Sequence, residues 1–148
     1  MPTHSTPADS THYADEIHFK NIRQLTFVGD NAEAYWSFDS KKLSFQFSDH
    51  KNIMCDQIFY GTIPKKGKPF DKHLVSTGKG RTTCSYFLPG DSLILYASTH
   101  ANADSCPPVP DKTKLKKYVW PVYSAFEIYV TDLKGNIRRQ LTSNNFYD

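Results

Sequence analysis

Residues 32–48 read AEAYWSFDSKKLSFQFS, and this stretch decides the fold class. Its second half, Leu43-Ser44-Phe45-Gln46-Phe47-Ser48, alternates apolar and polar side chains without a break. A period of two puts one set of side chains on each face of a half-buried strand. A second apolar run precedes it, and Asp39-Ser40-Lys41-Lys42 separates the two. Asp and Ser side chains bond the local backbone in turns, so 33–48 predicts a β-hairpin. Downstream, QIFYGTI over 57–63 predicts a third strand, stopped by Pro64 and the Lys-Lys-Gly that follows. His73-Leu74-Val75-Ser76 predicts a fourth, ended by Thr77-Gly78-Lys79-Gly80. No window of roughly 11 residues carries the i, i+3, i+4, i+7 stripe of an amphipathic helix.

Composition agrees with a β protein. The chain has 148 residues, a formal net charge of +3 and 14% aromatic residues, including 9 Tyr and 10 Phe. That length fits one domain, and the aromatic content is too high for a disordered chain. The net charge is too small to imply nucleic acid, and no apolar run reaches the roughly 20 residues of a membrane helix. Residues 1–17 read as a polar tail. No apolar h-region follows Met1, so the sequence shows no export signal and leaves a cytoplasmic location open.

The four-strand grammar then recurs. A shift of 50 residues lays Leu25 on Val75, Trp36 on Tyr86, Phe38 on Leu88, Leu43 on Leu93, Phe45 on Leu95 and Ser48 on Ser98. The third strand recurs at a shift of 70, as Glu127-Ile128-Tyr129-Val130-Thr131 against Gln57-Ile58-Phe59-Tyr60-Gly61. An insert of about 20 residues therefore sits inside the second unit. Arg139-Gln140-Leu141-Thr142 repeats Arg23-Gln24-Leu25-Thr26 letter for letter. Four short antiparallel strands per repeat of this length predict propeller blades, with an ordinary β-sandwich as the alternative.

The stretch IRQLTFVGDNAEAYWSFDSKKLSFQ resembles a TolB-like β-propeller repeat. In that family an outer strand ending in R/Q-L-T leads into an inner strand and then a turn of S-x-D-x-K/R pattern. Ser37, Asp39 and Lys41-Lys42 match it; the second repeat is looser, with Phe87 and Pro89-Gly90 at those places. The expected organisation is an incomplete all-β propeller over 18–148. It comprises a lead-in strand at 18–26, blade one at 32–76, blade two at 83–142 and a stub at 143–148. Closed propellers have about 4–8 blades, so two blades read as a fragment of a longer protein. Their unpartnered faces would self-associate or receive further blades. The resemblance implies a non-enzymatic platform for protein or ligand binding, in the periplasm or cell envelope. The alternative is a propeller enzyme, or the propeller domain of a hydrolase or peptidase.

Up-and-down strand order sorts the loops. The turns at 39–42, 64–72, 89–92 and 132–138 share one end. Residues 29–33, 49–56, 77–83 and 99–125 share the other, and binding residues concentrate on loops held by rigid strands. Candidate binding residues there are Asp30, Asn31, Glu33, Lys79, Arg81 and His100, and the enzyme alternative would centre on Asp30 and Arg81. Of three cysteines, Cys84 and Cys106 are the expected disulfide, anchoring the insert. A Cys₃His zinc site of Cys55, Cys84, Cys106 and His100 is the rival, without the usual paired-ligand spacing. Gly78-Lys79-Gly80-Arg81-Thr82 would cradle a phosphate on backbone N–H groups, but lacks the full P-loop order. The basic run at 112–117, beside Tyr118 and Trp120, would meet an anionic partner or remain a solvated loop. Pro107-Pro108 and Pro110 bar a central strand and predict that 100–125 is the least regular segment. No catalytic motif is legible, and no catalytic residue, metal or cofactor is assigned.

Overall fold

Eight strands follow from the period-two patterning, and the structure, a computed structural model, describes Tyr13 and residues 15–111, 113–117 and 119–148. Most of the polar tail, and Lys112 and Tyr118 of the basic run, lie outside the described residues. The strands are β1 (Asp30–Trp36), β2 (Lys42–Ser48), β3 (Gln57–Thr62), β4 (Lys72–Leu74), β5 (Thr82–Phe87), β6 (Leu93–Ser98), β7 (Glu127–Asp132) and β8 (Ile137–Gln140). They form two antiparallel meanders, β1-β2-β3-β4 and β5-β6-β7-β8, and the described residues contain no helix. The fold is all-β.

The ladder corrects the repeat register. Leu43 pairs with Gly61 in the first sheet, and Ile94 pairs with Thr131 in the second. Equivalent positions in the first hairpins are thus 51 residues apart, not 50, while β3 and β7 keep the shift of 70. A one-residue slip moves every side chain to the opposite face. The match at 50 had joined apolar residues of different faces. Two backbone features mark the corrected register. Ala32↔Gln46 and Tyr35↔Ser44 bracket a bulge in β1, and Thr83↔Ala97 and Ser85↔Tyr96 bracket one in β5. Glu33 and Cys84 occupy those bulges at φ 51° and 41°, and Ser40 and Asp91 occupy the following turns at φ 57° and 54°.

The two sheets stack through one buried cluster. Ile58 and Val75, with half-buried Tyr60, meet Phe87, Ile94, Tyr96 and Tyr129 of the second sheet. Ile58, Phe87, Ile94 and Tyr96 are fully buried, each such side chain stabilising by about 1.5–3 kcal/mol. A polar clamp joins the turns as well: Phe38 N and Asp39 N donate to the two carboxylate oxygens of Asp91, at 2.7 and 2.9 Å.

The other face of the first sheet was expected to lie open, and it does not. Phe45, Phe47 and Phe59 are buried, with Leu43, Ile53 and Phe70 packed against them. The Lys72 ammonium sits 2.8 Å from the Phe47 ring centroid. Gly61 makes room for this cover, because a Cβ there would stand 2.5 Å from Phe70 Cζ. Exposed aromatics gather instead at the turn end, where Tyr86 meets Tyr35 and Phe38 edge-on.

Residues 18–26 form no strand. An extended segment becomes a strand only where a neighbour's N–H and C=O groups meet its own, and this one finds isolated contacts. Arg23 Nη1 donates to the Pro64 carbonyl, and Leu25 and Thr26 border an apolar groove with Leu43, Phe45 and Phe70. The local sequence still has its own geometry. Gln24 Nε2 donates to Thr26 O, as Gln140 Nε2 does to Thr142 O. The described residues of 99–126 form no strand or helix, as the prolines predicted.

Replacing Asp91 by Ala leaves two turn amides without their charged acceptor. The expected loss is about 1–3 kcal/mol, read as a lower urea midpoint at unchanged slope. An unchanged midpoint would show that water replaces the clamp at no cost.

Candidate functional site

The loop end is built around Gly80. Its N–H donates to Asp104 O at 2.8 Å, and its carbonyl accepts from Gln57 Nε2 at 2.9 Å. Its φ is +59°, and a Cβ would meet Thr99 Oγ1 at 2.7 Å and His100 N at 2.8 Å, so glycine is required. Beside it, Lys79 Nζ pairs with Asp104 Oδ2 at 2.8 Å. The insert therefore leaves the sheet already tied to the β4–β5 loop.

A disulfide supplies the second tie, with a partner other than the one expected. Cys106 is bonded to Cys55, their Cα atoms 5.9 Å apart, and Cys84 is a free, exposed thiol. The expected Cys84–Cys106 bridge is therefore corrected to Cys55–Cys106. Cys84 sits at the β5 bulge, whereas Cys55 ends a loop that Asp49 shapes. Asp49 Oδ1 accepts the N–H groups of Lys51, Asn52 and Ile53, and these bonds, Ile53's foremost, hold its carboxyl down to about 2.

Beyond Cys106 the insert folds over the sheets and closes a cavity of about 420 Å³. On the sheet side lie Asp30 and Glu33 of β1, Gln46 of β2, Thr82 and Thr83 of β5, and the loop residues Asp56 and Arg81. The insert contributes Val109, Val119, Trp120, Pro121, Tyr123 and Phe126, and Tyr147 comes from the final segment. Tyr123 is set by its hydroxyl, which donates to Pro108 O at 2.6 Å. Phe126 packs against Tyr123 and, edge-on, against Tyr147.

Three carboxylates and one guanidinium line the same cavity. Asp30 Oδ2 lies 2.7 Å from His50 Nε2. Glu33 Oε2 accepts from Tyr35 OH at 3.2 Å. Asp56 Oδ1 accepts from Ser48 Oγ at 3.2 Å, and its Oδ2 is 3.9 Å from Arg81 Nη1. Arg81 Nε is shut off from solvent with no acceptor among the described residues.

Of the six candidate residues, Asp30, Glu33 and Arg81 meet here. Asn31 instead closes a turn, donating to Val28 O and Gly29 O, and Lys79 serves the insert tie. His100 packs its ring 4.2 Å from that of Tyr129. Its Nδ1 lies 2.9 Å from Ser98 Oγ, but Ser98 is fully buried and out of reach of a substrate. The phosphate reading of 78–82 fails on its donors. The N–H groups of Gly78, Lys79, Gly80, Arg81 and Thr82 are taken by Gln57, Thr77, Asp104, Thr99 and Asp56 respectively. The zinc set is likewise broken up, because Cys55 and Cys106 spend their sulfurs on each other. Among the described residues no three His, Cys, Asp or Glu side chains converge as metal ligands.

Gln46, Asp56 and the aromatic wall were missed by sequence reasoning. The signal for the wall was the Trp120-Pro121-Val122-Tyr123 run, apolar within an otherwise polar insert, and Phe146-Tyr147 at the end. No family model matches this chain, nor does any curated protein or solved structure.

Two measurements probe this end. Closing 51 residues of chain with one bond stabilises by about 4 kcal/mol in the loop-entropy account. Cys55→Ser/Cys106→Ser should therefore lower the urea-derived stability by about 2–4 kcal/mol, and Cys84→Ser should not. The two histidines titrate in opposite directions from 6.5. The hydrogen bond to Asp30 raises His50, while burial, aided by Lys79, lowers His100. Stability from His50 is complete below 6.5 and lost as pH rises through its folded value. Stability from neutral His100 is complete above 6.5 and declines as pH falls below it. Imidazole proton shifts followed by NMR should give His50 above and His100 below 6.5, with Asp30→Asn returning only His50 towards the ordinary value.

Proposed function

We propose that the chain is a non-enzymatic binding module made of two blades of a larger TolB-like β-propeller, and that the loop-end cavity receives its ligand or partner. The stacking sense supports the propeller part. Ile58, Tyr60 and Val75 face the second sheet, and their equivalents Ile128, Val130 and Leu141 stand on that sheet's far side. Phe87, Ile94, Tyr96 and Tyr129 face the first sheet, and their equivalents Trp36, Leu43, Phe45 and Phe59 stand on its far side. A sandwich related by a two-fold would bring like faces together; here front meets back, an arrangement that continues by repetition.

The observation that carries the binding role is the cavity, in which both sheets, the insert and the final segment meet. Its size falls within the range of small-molecule sites, and it combines an apolar wall with a few charged groups. The enzyme alternative rests on Asp30 and Arg81 sharing that cavity. Against it, no hydroxyl or thiol there is hydrogen-bonded to a histidine among the described residues. The Cys55–Cys106 disulfide favours an oxidising compartment, in keeping with the periplasm or cell envelope.

The test is an amide NMR screen of the 148-residue chain against small organic cations, anions, neutral amphiphiles and short peptides. Binding should perturb Asp30, Asp56, Arg81, Val119 and Tyr147 together and leave each compound chemically unchanged. Hydrolysis or rearrangement of a bound compound would establish the enzyme reading. Perturbation confined to other surfaces would remove the cavity from the account.

A further inference from the structure

The turn end of the two sheets, opposite the cavity, carries a separate surface. The connections at 39–42, 64–72, 89–92 and 132–138 hold eight Lys and Arg against four Asp, whereas the whole chain has 18 Lys and Arg against 15 Asp and Glu. Hydrogen bonds join the first three: Ile63 N donates to Lys41 O at 2.8 Å, and Phe38 N and Asp39 N donate to Asp91. Three of the four carboxylates are taken up locally. Asp39 accepts from Ser37 Oγ and Lys41 N, and Asp91 from the two turn amides. Asp132 accepts from Lys134 N and Asn136 N and pairs with Arg138. Asp71 alone of the four is exposed without an ion pair among the described residues. The cations are less engaged. Lys65, Lys66, Lys68 and Lys134 are all exposed with no ion pair among the described residues. Lys68 N donates to Lys65 O at 3.1 Å, closing a turn that stands clear of its surroundings, since a Cβ on Gly67 would meet nothing within 4 Å.

Exposed aromatic rings share this end. Phe38 and Tyr86 are 56% and 48% exposed, and their rings meet edge-on. Free amines ask for an anionic partner, and bare aromatic rings ask for an apolar one. The interface of an anionic bilayer supplies both, with headgroups for the amines and the acyl boundary for the rings. A nucleic-acid strand would call for rings set out along a basic groove, each free to stack on a base. Here Tyr35 and Phe38 both cluster on Tyr86 instead. We propose that the turn end docks on an anionic phospholipid bilayer, with Lys65, Lys66 and Lys68 at the headgroups and Phe38 and Tyr86 among them. The contact leaves the loop-end cavity free.

The probes are vesicles of phosphatidylcholine, alone or with about 30% phosphatidylglycerol, sedimented with the full chain. The anionic vesicles should bind it at least about tenfold more tightly than the neutral ones, and raising salt should remove most of that difference. Lys65→Gln/Lys66→Gln/Lys68→Gln should weaken binding to the anionic vesicles at least about tenfold, since each cation near such a surface contributes about fivefold. Lys114→Gln/Lys116→Gln/Lys117→Gln, in the exposed basic run of the insert, should leave binding unchanged. Phe38→Ser should weaken it at every salt concentration. Trp120→Phe leaves Trp36 as the sole tryptophan, about half exposed at the end of β1, and its emission should shift to the blue on the anionic vesicles. The comparison of vesicles and the salt series need no variant. Equal binding to both vesicles, or to neither, overturns the proposal. So does loss of binding in the 114–117 variant with the 65–68 variant unaffected, which moves the contact to the insert. Tighter binding of a single-stranded oligonucleotide than of the anionic vesicles assigns the surface to nucleic acid and overturns the lipid. An unmoved Trp36 emission together with full binding of Phe38→Ser overturns the part given to the rings.

Discussion

Front-to-back packing of the two sheets is the constraint on which the rest depends. The first meander covers one of its faces with its own Ile53 and Phe70, but its other face is buried only against the second sheet. Ile58 and Val75 become fully buried only because Phe87, Ile94, Tyr96 and Tyr129 lie over them. The price is polar. Ser44, Gln46 and Ser48 also point to this face, and Ser44 Oγ, Ser85 Oγ, Tyr96 OH and Tyr129 OH are buried without partners among the described residues. Burial, with Tyr129 nearby, pushes the Tyr96 phenol up to about 12.

The same packing positions the cavity. It brings the starts of β1 and β5 side by side, placing Asp30 and Glu33 near Arg81 although some 50 residues separate them in sequence. The insert adds the remaining wall, and its course is fixed at its origin by Gly80, Lys79–Asp104 and Cys55–Cys106. A long loop is costly to order; here it is pinned by a covalent bond and a glycine that admits no side chain. The strands and the loops that adjoin them thus supply the charged side of the cavity, and the tethered insert with the final segment supplies the aromatic side.

Strand patterning made the eight strands and their two meanders legible, because alternation and turn chemistry are local signals. Register was not legible, because Leu, Ile and Phe are interchangeable as apolar letters and the match at 50 satisfied them. Only the hydrogen-bond ladder shows that Leu43 answers to Ile94. The lead-in strand failed for a related reason: Arg23-Gln24-Leu25-Thr26 has the letters of β8's end but no neighbour to pair with. At the site, Asp30, Glu33 and Arg81 followed from topology. The disulfide partner and the aromatic wall depend on how 99–126 folds back, and proline-rich loops carry no period from which to read that.

One position shows how far the two repeats are the same object. Gln57 and Glu127 open β3 and β7, and both accept an N–H from the residue two positions past Ser76 or Thr142. Gln57 Oε1 takes Gly78 N at 3.1 Å, and Glu127 Oε1 takes Asn144 N at 2.7 Å. Ser76 Oγ and Thr142 Oγ1 accept from Ile58 N and Ile128 N in the same way. The acceptor half of the motif is thus kept through a change of residue type. The donor half is not. Gln57 Nε2 holds the Gly80 carbonyl, and so fixes the path that carries the chain into β5. Glu127 has an oxygen there, buried and unpartnered, which repels a carbonyl. After β8 the chain takes a different course, with Tyr147 packed on Phe126 in the cavity wall. The two repeats thus share the acceptor half of this contact and differ in the donor half, and the segments that follow differ in course, one entering β5 and the other lining the cavity.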